Sequence, residues 1–324
     1  MENKNTCKIN NCIWPEEILS ALERGEITPA EAFIRFRQLD NIRASSDKDY
    51  RGNSEMEEVL KELDMLIGLN SVKKLVRELQ AFVEIQKRRQ QEELATDPLV
   101  LHMIFKGNPG TGKTTVARIM GKLLRAMGVL QKGHLVEVER ADLVGEYIGH
   151  TAQKTRDQLK KAMGGILFID EAYSLARGGE KDFGKEAIDC MCKFMEDNKD
   201  DIILILAGYC DEMDNFLRSN PGLRSRFPIH IDFPDYTGAE LMEIAKLTLQ
   251  KRQYRLSTGA ESELFKLVSV CTTTDQPHIG NARMVRNIIE KSIRRQAVRL
   301  VRQTTLTRED LMIIQYEDIR EVEG

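Results

Sequence analysis

No apolar run in these 324 residues approaches the roughly 18 that a membrane-spanning helix needs. The longest clean one is IILILA at 202–207. No membrane association is expected. The opening MENKNTCKIN is polar and lacks the apolar stretch of a secretory signal, so the expected location is the cytoplasm. Charge of one sign is also missing. The 48 Lys and Arg stand against 51 Asp and Glu, a net of −3, with no overall pull toward nucleic acid or an anionic surface. Cysteines number six, and they are poorly spaced for structural work. Cys7 and Cys12 have no second Cys or His pair at ligand spacing, and Cys190 and Cys192 fall two apart in a helical pattern, pointing different ways. Free reduced thiols are the expectation. Internal repeats and low-complexity tracts are absent.

What is present is a globular composition, 41% hydrophobic and 31% charged, with length for about two domains and an ample core. Three regions separate. Residues 1–54 hold a short helical hairpin at 14–43 and a polar linker, ASSDKDYRGNS. Thr28, Pro29 and Glu31 supply a helix-start signal inside the hairpin. Residues 55–236 alternate helical stretches with short apolar runs at 99–105, 134–139, 165–170, 202–207 and 229–233. Such runs, joined by amphipathic segments, predict an α/β core around a five-stranded parallel sheet covered on both faces. In TTVARIMGKLLRAMG, Val116, Met120, Leu123, Leu124 and Met127 share one face and Gly128 stops the helix. Residues 237–324 read as an all-helical domain, with helices near 238–252, 260–273, 281–302 and 308–317.

The strongest chemical signal is GNPGTGKT, Gly107, Asn108, Pro109, Gly110, Thr111, Gly112, Lys113 and Thr114, with Thr115 next. It follows a predicted strand and opens a predicted helix, the context a phosphate-binding loop requires. Glycines let successive N–H groups turn toward an anion. The helix N-terminus adds its dipole, Lys113 reaches the outer phosphates, and the Thr114 hydroxyl suits Mg²⁺. A second signal is ILFIDEA at 166–172, an apolar strand ending in two carboxylates. At the C-terminal edge of a parallel sheet, where ligands bind, Asp170 would hold Mg²⁺ and Glu171 would orient and polarise an attacking water. Together these predict a nucleoside triphosphatase using ATP and Mg²⁺.

With NPGLRSRF at 220–227 and GNARMVRN at 280–287, these motifs resemble the AAA+ ATPases. The runs GNPGTGKTTVAR, RADLVGEYIGHTAQKT, GILFIDEAYSL and NPGLRSRFP resemble, more narrowly, the family of stage V sporulation protein K and the red-type Rubisco activases. The likeness covers about residues 60–318. It implies an AAA+ core followed by an all-α lid, and a homo-oligomeric ring, expected to be a hexamer. It implies that Arg226 is an arginine finger acting on a neighbour's nucleotide, with Arg224 a second candidate. Arg283 matches the arginine that a lid lays on the phosphates. Ile67 and Gly68, with Leu69, match the border of the adenine. The strand ILILAGY departs from many AAA+ proteins, ending in Gly208-Tyr209 where Asn or Thr is common, and Tyr209 is given no catalytic role.

Tyr147 and Ile148 lie between Gly145 and Gly149 on a polar connection, an odd place for an aromatic. In AAA+ rings an aromatic-aliphatic-glycine triplet at this position lines the central channel, which makes the pair a candidate grip on polypeptide. The helix at 282–302 carries Arg283, Arg286, Lys291, Arg294, Arg295, Arg299 and Arg302 against Glu290. Its apolar stripe marks it as a packed helix with a solvated basic face, and no nucleic-acid partner is expected. The expected function is remodelling of a protein substrate in the manner of the sporulation member, since the N-terminal hairpin is not shared with the activases. The rivals are Rubisco activation, a DNA-directed loader, and a slow nucleotide switch.

Overall fold

Five short apolar runs pair into one parallel sheet in the computed structural model of the chain. The structure describes residues 15–24, 26–28, 31–32, 54–96, 100–147, 149–178, 183–199, 201–273, 280–303 and 305–320. The strands are β1 (Met103–Gly107), β2 (Leu135–Val138), β3 (Ile166–Ile169), β4 (Ile203–Gly208) and β5 (Ile229–Phe233). Their spatial order is β2-β3-β4-β1-β5. Every residue of β3 and β4 is buried, whereas the edge strands β2 and β5 carry exposed positions. Central strands covered on both faces need no polar alternation, which is why they read as continuous apolar runs.

Register brings the chemistry to one edge. Met103 lies opposite both Ile205 and Ile229, and Ile166 opposite Ile203, so β1, β3 and β4 all end on the same side of the sheet. β1 starts at Met103, later than the apolar run that begins at 99. His102 explains the difference: its buried Nδ1 accepts the Leu204 N–H at 3.1 Å, taking the place of a backbone ladder acceptor. The helix after β1 is Lys113–Ala126, which buries Val116, Met120, Leu123 and Leu124 on the face expected for them. Gly128 ends it with a φ of +66°, its N–H bonded to Arg125 O at 2.8 Å.

The chain forms two compact units, residues 1–57 and 58–324. In the first, Pro15–Glu23 is helical. Thr28 N donates to Glu31 Oε2 at 2.8 Å, while Glu31 N donates to Thr28 Oγ1 at 3.3 Å, the reciprocal cap expected there. Most of the second hairpin helix, nearly all of the linker, and Cys7 and Cys12 lie outside the described residues. Cys190 and Cys192 are free thiols.

In the second unit, the helices Gly238–Lys251, Thr258–Thr273 and Asn281–Val301 follow the sheet. The single helix expected at 308–317 is instead two short ones, Arg308–Met312 and Tyr316–Arg320. Between them β7 (Ile313–Ile314) pairs in parallel with β6 (Arg255–Leu256). Two-residue strands have no periodicity to read, and this pair joins segments far apart in the chain. Buried Gln296 holds the break open, its Nε2 donating to Ile313 O at 2.9 Å. Among the described residues no helix is long and apolar enough to cross a membrane.

Candidate active site

The loop after β1 folds back on itself before the helix starts. Thr111 Oγ1 donates to Asn108 O at 2.8 Å, and Gly112 enters the helix with a φ of +97°, open to glycine at little cost. Gly110 has a φ of +74° and lies so close to the helix Asn281–Val301 that a Cβ would stand 2.8 Å from Arg283 N. Lys113 reaches back along the loop, its Nζ donating to Gly107 O at 2.7 Å and Asn108 O at 2.9 Å. Burial holds its ammonium below the ordinary lysine pKa, opposed by the charge of Asp170. The first N–H groups of the helix Lys113–Ala126 have no acceptor within the helix, which completes an anion cradle.

Asp170 and Glu171 leave β3 at the same edge. Asp170 N still donates to Val138 O at 3.0 Å, and its Oδ1 accepts the Glu171 N–H at 3.0 Å. Glu171 takes a left-handed φ of +47°, a conformation that costs a non-glycine residue roughly 1 kcal/mol. That turn leaves Asp170 partly buried and Glu171 exposed. Tyr173 and Tyr209 stack nearby with ring centroids 5.8 Å apart. Burial, followed by the Glu171 charge, pushes the Tyr173 hydroxyl up to about 12 and raises Tyr209 as well. Both phenols are thus neutral at physiological pH.

A cleft of about 820 Å³ joins these parts. Ile67, Pro109, Gly110, Gly112, Lys113, Thr114, Thr115, Asp170, Glu171 and Arg283 line it. Gly107, Asn108, Thr111 and Gly68 are not among the lining residues; they shape the chain behind it. Gly68 and Leu69 both have positive φ, +62° and +55°, turning the chain ahead of the helix Asn70–Gln91.

Sequence reasoning does not reach several other wall residues, Met65, Leu66, Tyr236, Ile244 and Leu247; it weighs Tyr209 without giving it a role and reads Arg286 only as part of a basic helix face. Arg286 had a signal, one helical turn beyond Arg283 on the same face. Tyr236 sits in PDY, which reads only as a domain boundary, yet its hydroxyl donates to Thr111 O at 3.2 Å. The apolar wall of Met65, Leu66, Ile67, Ile244 and Leu247 suits a flat base, and the polar end suits phosphates.

Arg226 and Tyr147 stand outside this cleft. Arg226 ends the helix Pro221–Arg226 and pairs with Glu196, while Arg224 is exposed. Tyr147 is 66% exposed, its ring edge-on to His150 at 5.5 Å. Ile148 lies outside the described residues.

The donor set fits Mg²⁺. Thr114 offers a hydroxyl and Asp170 a carboxylate to the same cleft, oxygen ligands of the kind a small hard cation takes together with substrate phosphates. Among the described residues no cluster of three His, Cys, Asp or Glu stands ready to hold a metal, and such a shared site needs none.

A family described as ATPases associated with various cellular activities (AAA) matches residues 103–235, and the AAA lid domain matches 237–324. Stage V sporulation protein K of Bacillus subtilis (strain 168) is 54% identical over 294 residues, covering 90% of this chain and 89% of its own. Protein CbbX of Cereibacter sphaeroides is 50% identical over 84% of this chain and 88% of its own. The chloroplastic ribulose bisphosphate carboxylase/oxygenase activase of Cyanidioschyzon merolae is 48% identical over 82% and 92%. Among solved structures, a point mutant of Thermotoga maritima RuvB aligns with a TM-score of 0.53 over 80% of this chain and 70% of its own. At 22% identity that likeness speaks to the fold alone.

Proposed function

The chain belongs to the AAA ATPase family that includes stage V sporulation protein K and CbbX, and it hydrolyses ATP; from that premise we propose that it works as a ring, a hexamer, that pulls on polypeptide. The base of ATP lies against Ile67 and the apolar wall, with Gly68 turning the chain behind it, and its phosphates lie in the loop 107–115. Lys113 leaves its loop carbonyls for the outer phosphates. Thr114 and Asp170 would hold Mg²⁺, which neutralises phosphate charge when bound. Glu171 orients the water that attacks the γ-phosphorus as the bond to the bridging oxygen breaks. Arg283 reports the γ-phosphate to the lid, and Arg226 serves the site of the neighbouring copy.

The observation that carries this reading is Tyr147, an exposed aromatic on a tip outside the cleft whose roots are tied to the core. A protein substrate is favoured over nucleic acid because three of the seven basic residues at 282–302 are already committed: Arg283 and Arg286 line the cleft and Arg299 pairs with Asp318. The test is sedimentation of Glu171→Gln with ATP and Mg²⁺. A species of six 37.0 kDa chains supports the ring, and a persistent monomer overturns it. The 48% identity to the chloroplastic ribulose bisphosphate carboxylase/oxygenase activase of Cyanidioschyzon merolae supports a second reading, activation of Rubisco. Recovery of inhibited red-type Rubisco on adding this protein and ATP would establish it.

A further inference from the structure

Asn281 opens the helix that carries Arg283, and it is wholly buried with a left-handed φ of +43°. Asparagine is among the few side chains that tolerate that backbone, and it brings both a donor and an acceptor. Its Nδ2 donates to Asp235 Oδ1 at 2.7 Å and faces Pro109 O at 3.4 Å, while its Oδ1 accepts the Tyr236 N–H at 3.0 Å. The same Asp235 carboxylate accepts Asn108 Nδ2, at 3.1 Å on Oδ1 and 2.9 Å on Oδ2. Next along, Ala282 N donates to Gly110 O at 3.3 Å. One carboxylate at the exit of β5 therefore holds the phosphate loop with one hand and the start of the lid helix with the other.

From this we infer that Asn281 is a positioning residue for ATP hydrolysis, acting through Asp235 to set where Arg283 stands relative to the phosphate loop. The inference rests on the cleft being the nucleotide site. Without the bond, Arg283 would keep its charge but lose its reference to the loop at Asn108 and Gly110, just ahead of Lys113 and Thr114. A misplacement near 1 Å at a reacting group costs far more turnover than binding. Two carboxylates side by side would break the contact, and exchanging the two residues would restore it. The amide moved to position 235 would then donate to the carboxylate moved to position 281, and its own oxygen would still accept from Asn108.

The experiment compares Asn281→Asp, Asp235→Asn and the double exchange, each with ATP and Mg²⁺, for binding and for turnover. Asn281→Asp should lower kcat on the order of tenfold while ATP affinity changes less, and the exchange should recover most of that loss. Full turnover in Asn281→Asp, or an exchange no better than it, overturns the inference. Asn281→Gly keeps the left-handed backbone and removes only the side chain; it should fold and share the loss, and normal turnover there is equally fatal. Lys113→Ala run alongside separates the two levels. If it still binds ATP, the reading of the cleft has failed; if it does not, an unaffected Asn281→Asp sinks this inference alone.

Discussion

Arg226 and Glu196 are joined twice over within one chain: Arg226 Nε donates to Glu196 Oε1 at 3.0 Å and Nη2 donates to the same oxygen at 2.5 Å. The third nitrogen, Nη1, donates to Gly222 O at 2.9 Å. The guanidinium is thereby aimed from the end of its helix, outside its own cleft. Exposed pairs of this kind are worth about 1 kcal/mol or less, so a phosphate of a neighbouring copy can compete for it. Arg226→Ala should bind ATP normally and hydrolyse it on the order of 10³-fold more slowly. Mixing it with Lys113→Ala should restore some activity, since one chain supplies the arginine and the other the pocket. Absence of rescue in demonstrated mixed assemblies would place its action in cis.

Lys113→Ala and Glu171→Gln should fail differently. Loss of Lys113 removes the cation that faces the outer phosphates, so ATP binding itself should be lost in equilibrium titration. Glu171→Gln keeps the side-chain shape at the strained turn and removes the base. It should bind ATP yet turn over about 10²-fold or more slowly. Normal hydrolysis by Glu171→Gln would remove it from the mechanism.

The sheet and the cradle are legible in the chain because their signals are local. IHIDF matches β5 residue for residue, and GNPGTGKT announces strand, turn and helix in eight letters. The rest depends on pairing at a distance. His102 shortens β1 from within an apolar run, Tyr236 closes the cleft from a boundary tripeptide, and β6 meets β7 across the whole lid. Asn281 looks like an ordinary polar residue until its φ and its burial are known. None of these leaves a periodic or compositional trace.

Stability should carry the mark of His102. Burial lowers its pKa from 6.5 to about 4, and its Nδ1 must stay unprotonated to accept from Leu204 N. Between those values the unfolded chain binds the proton and the folded one does not, so stability falls as pH drops from about 6.5 toward 4. The full shift corresponds to roughly 3 kcal/mol. His102→Gln offers an amide oxygen as acceptor and no titration. Urea midpoints measured across that window should flatten in the variant; an unchanged slope would mean His102 is not the group responsible.

Gly208 stands where many AAA+ proteins carry a polar side chain, and the space is taken. A Cβ there would lie 2.7 Å from Tyr173 Cδ1 and 2.8 Å from Met213 Cγ and Sδ. Gly208→Asn should therefore cost about 1–3 kcal/mol by overpacking instead of improving the site. Urea denaturation measures the cost, and lower ATP turnover should accompany it as Tyr173 and Tyr209 are displaced. A variant as stable as the parent, with faster hydrolysis, would show that the tyrosine stack yields easily.

Tyr147 is the residue whose loss should separate hydrolysis from work. The roots of its loop are fixed: Gly145 N donates to Thr151 Oγ1 at 3.0 Å, Thr155 Oγ1 to Leu143 O at 3.0 Å, and Lys154 Nζ to Ala141 O at 2.5 Å. Beyond them Gly149 turns with a φ of +84° and open space around it, which lets the tip move without straining the core. Tyr147 buries little and rests its ring on the neighbouring His150, so Tyr147→Ala should shift the melting temperature hardly at all. Basal ATP hydrolysis and assembly should likewise persist, because no cleft residue is changed. What should vanish is the stimulation of hydrolysis by an unfolded polypeptide, such as a reduced and carboxymethylated protein, since an aromatic ring grips chain of any sequence. Equal loss of assembly, basal hydrolysis and stimulation would mark Tyr147 as structural. Stimulation retained in full, with the parent protein stimulated in the same assay, would end the proposal that this loop pulls on polypeptide.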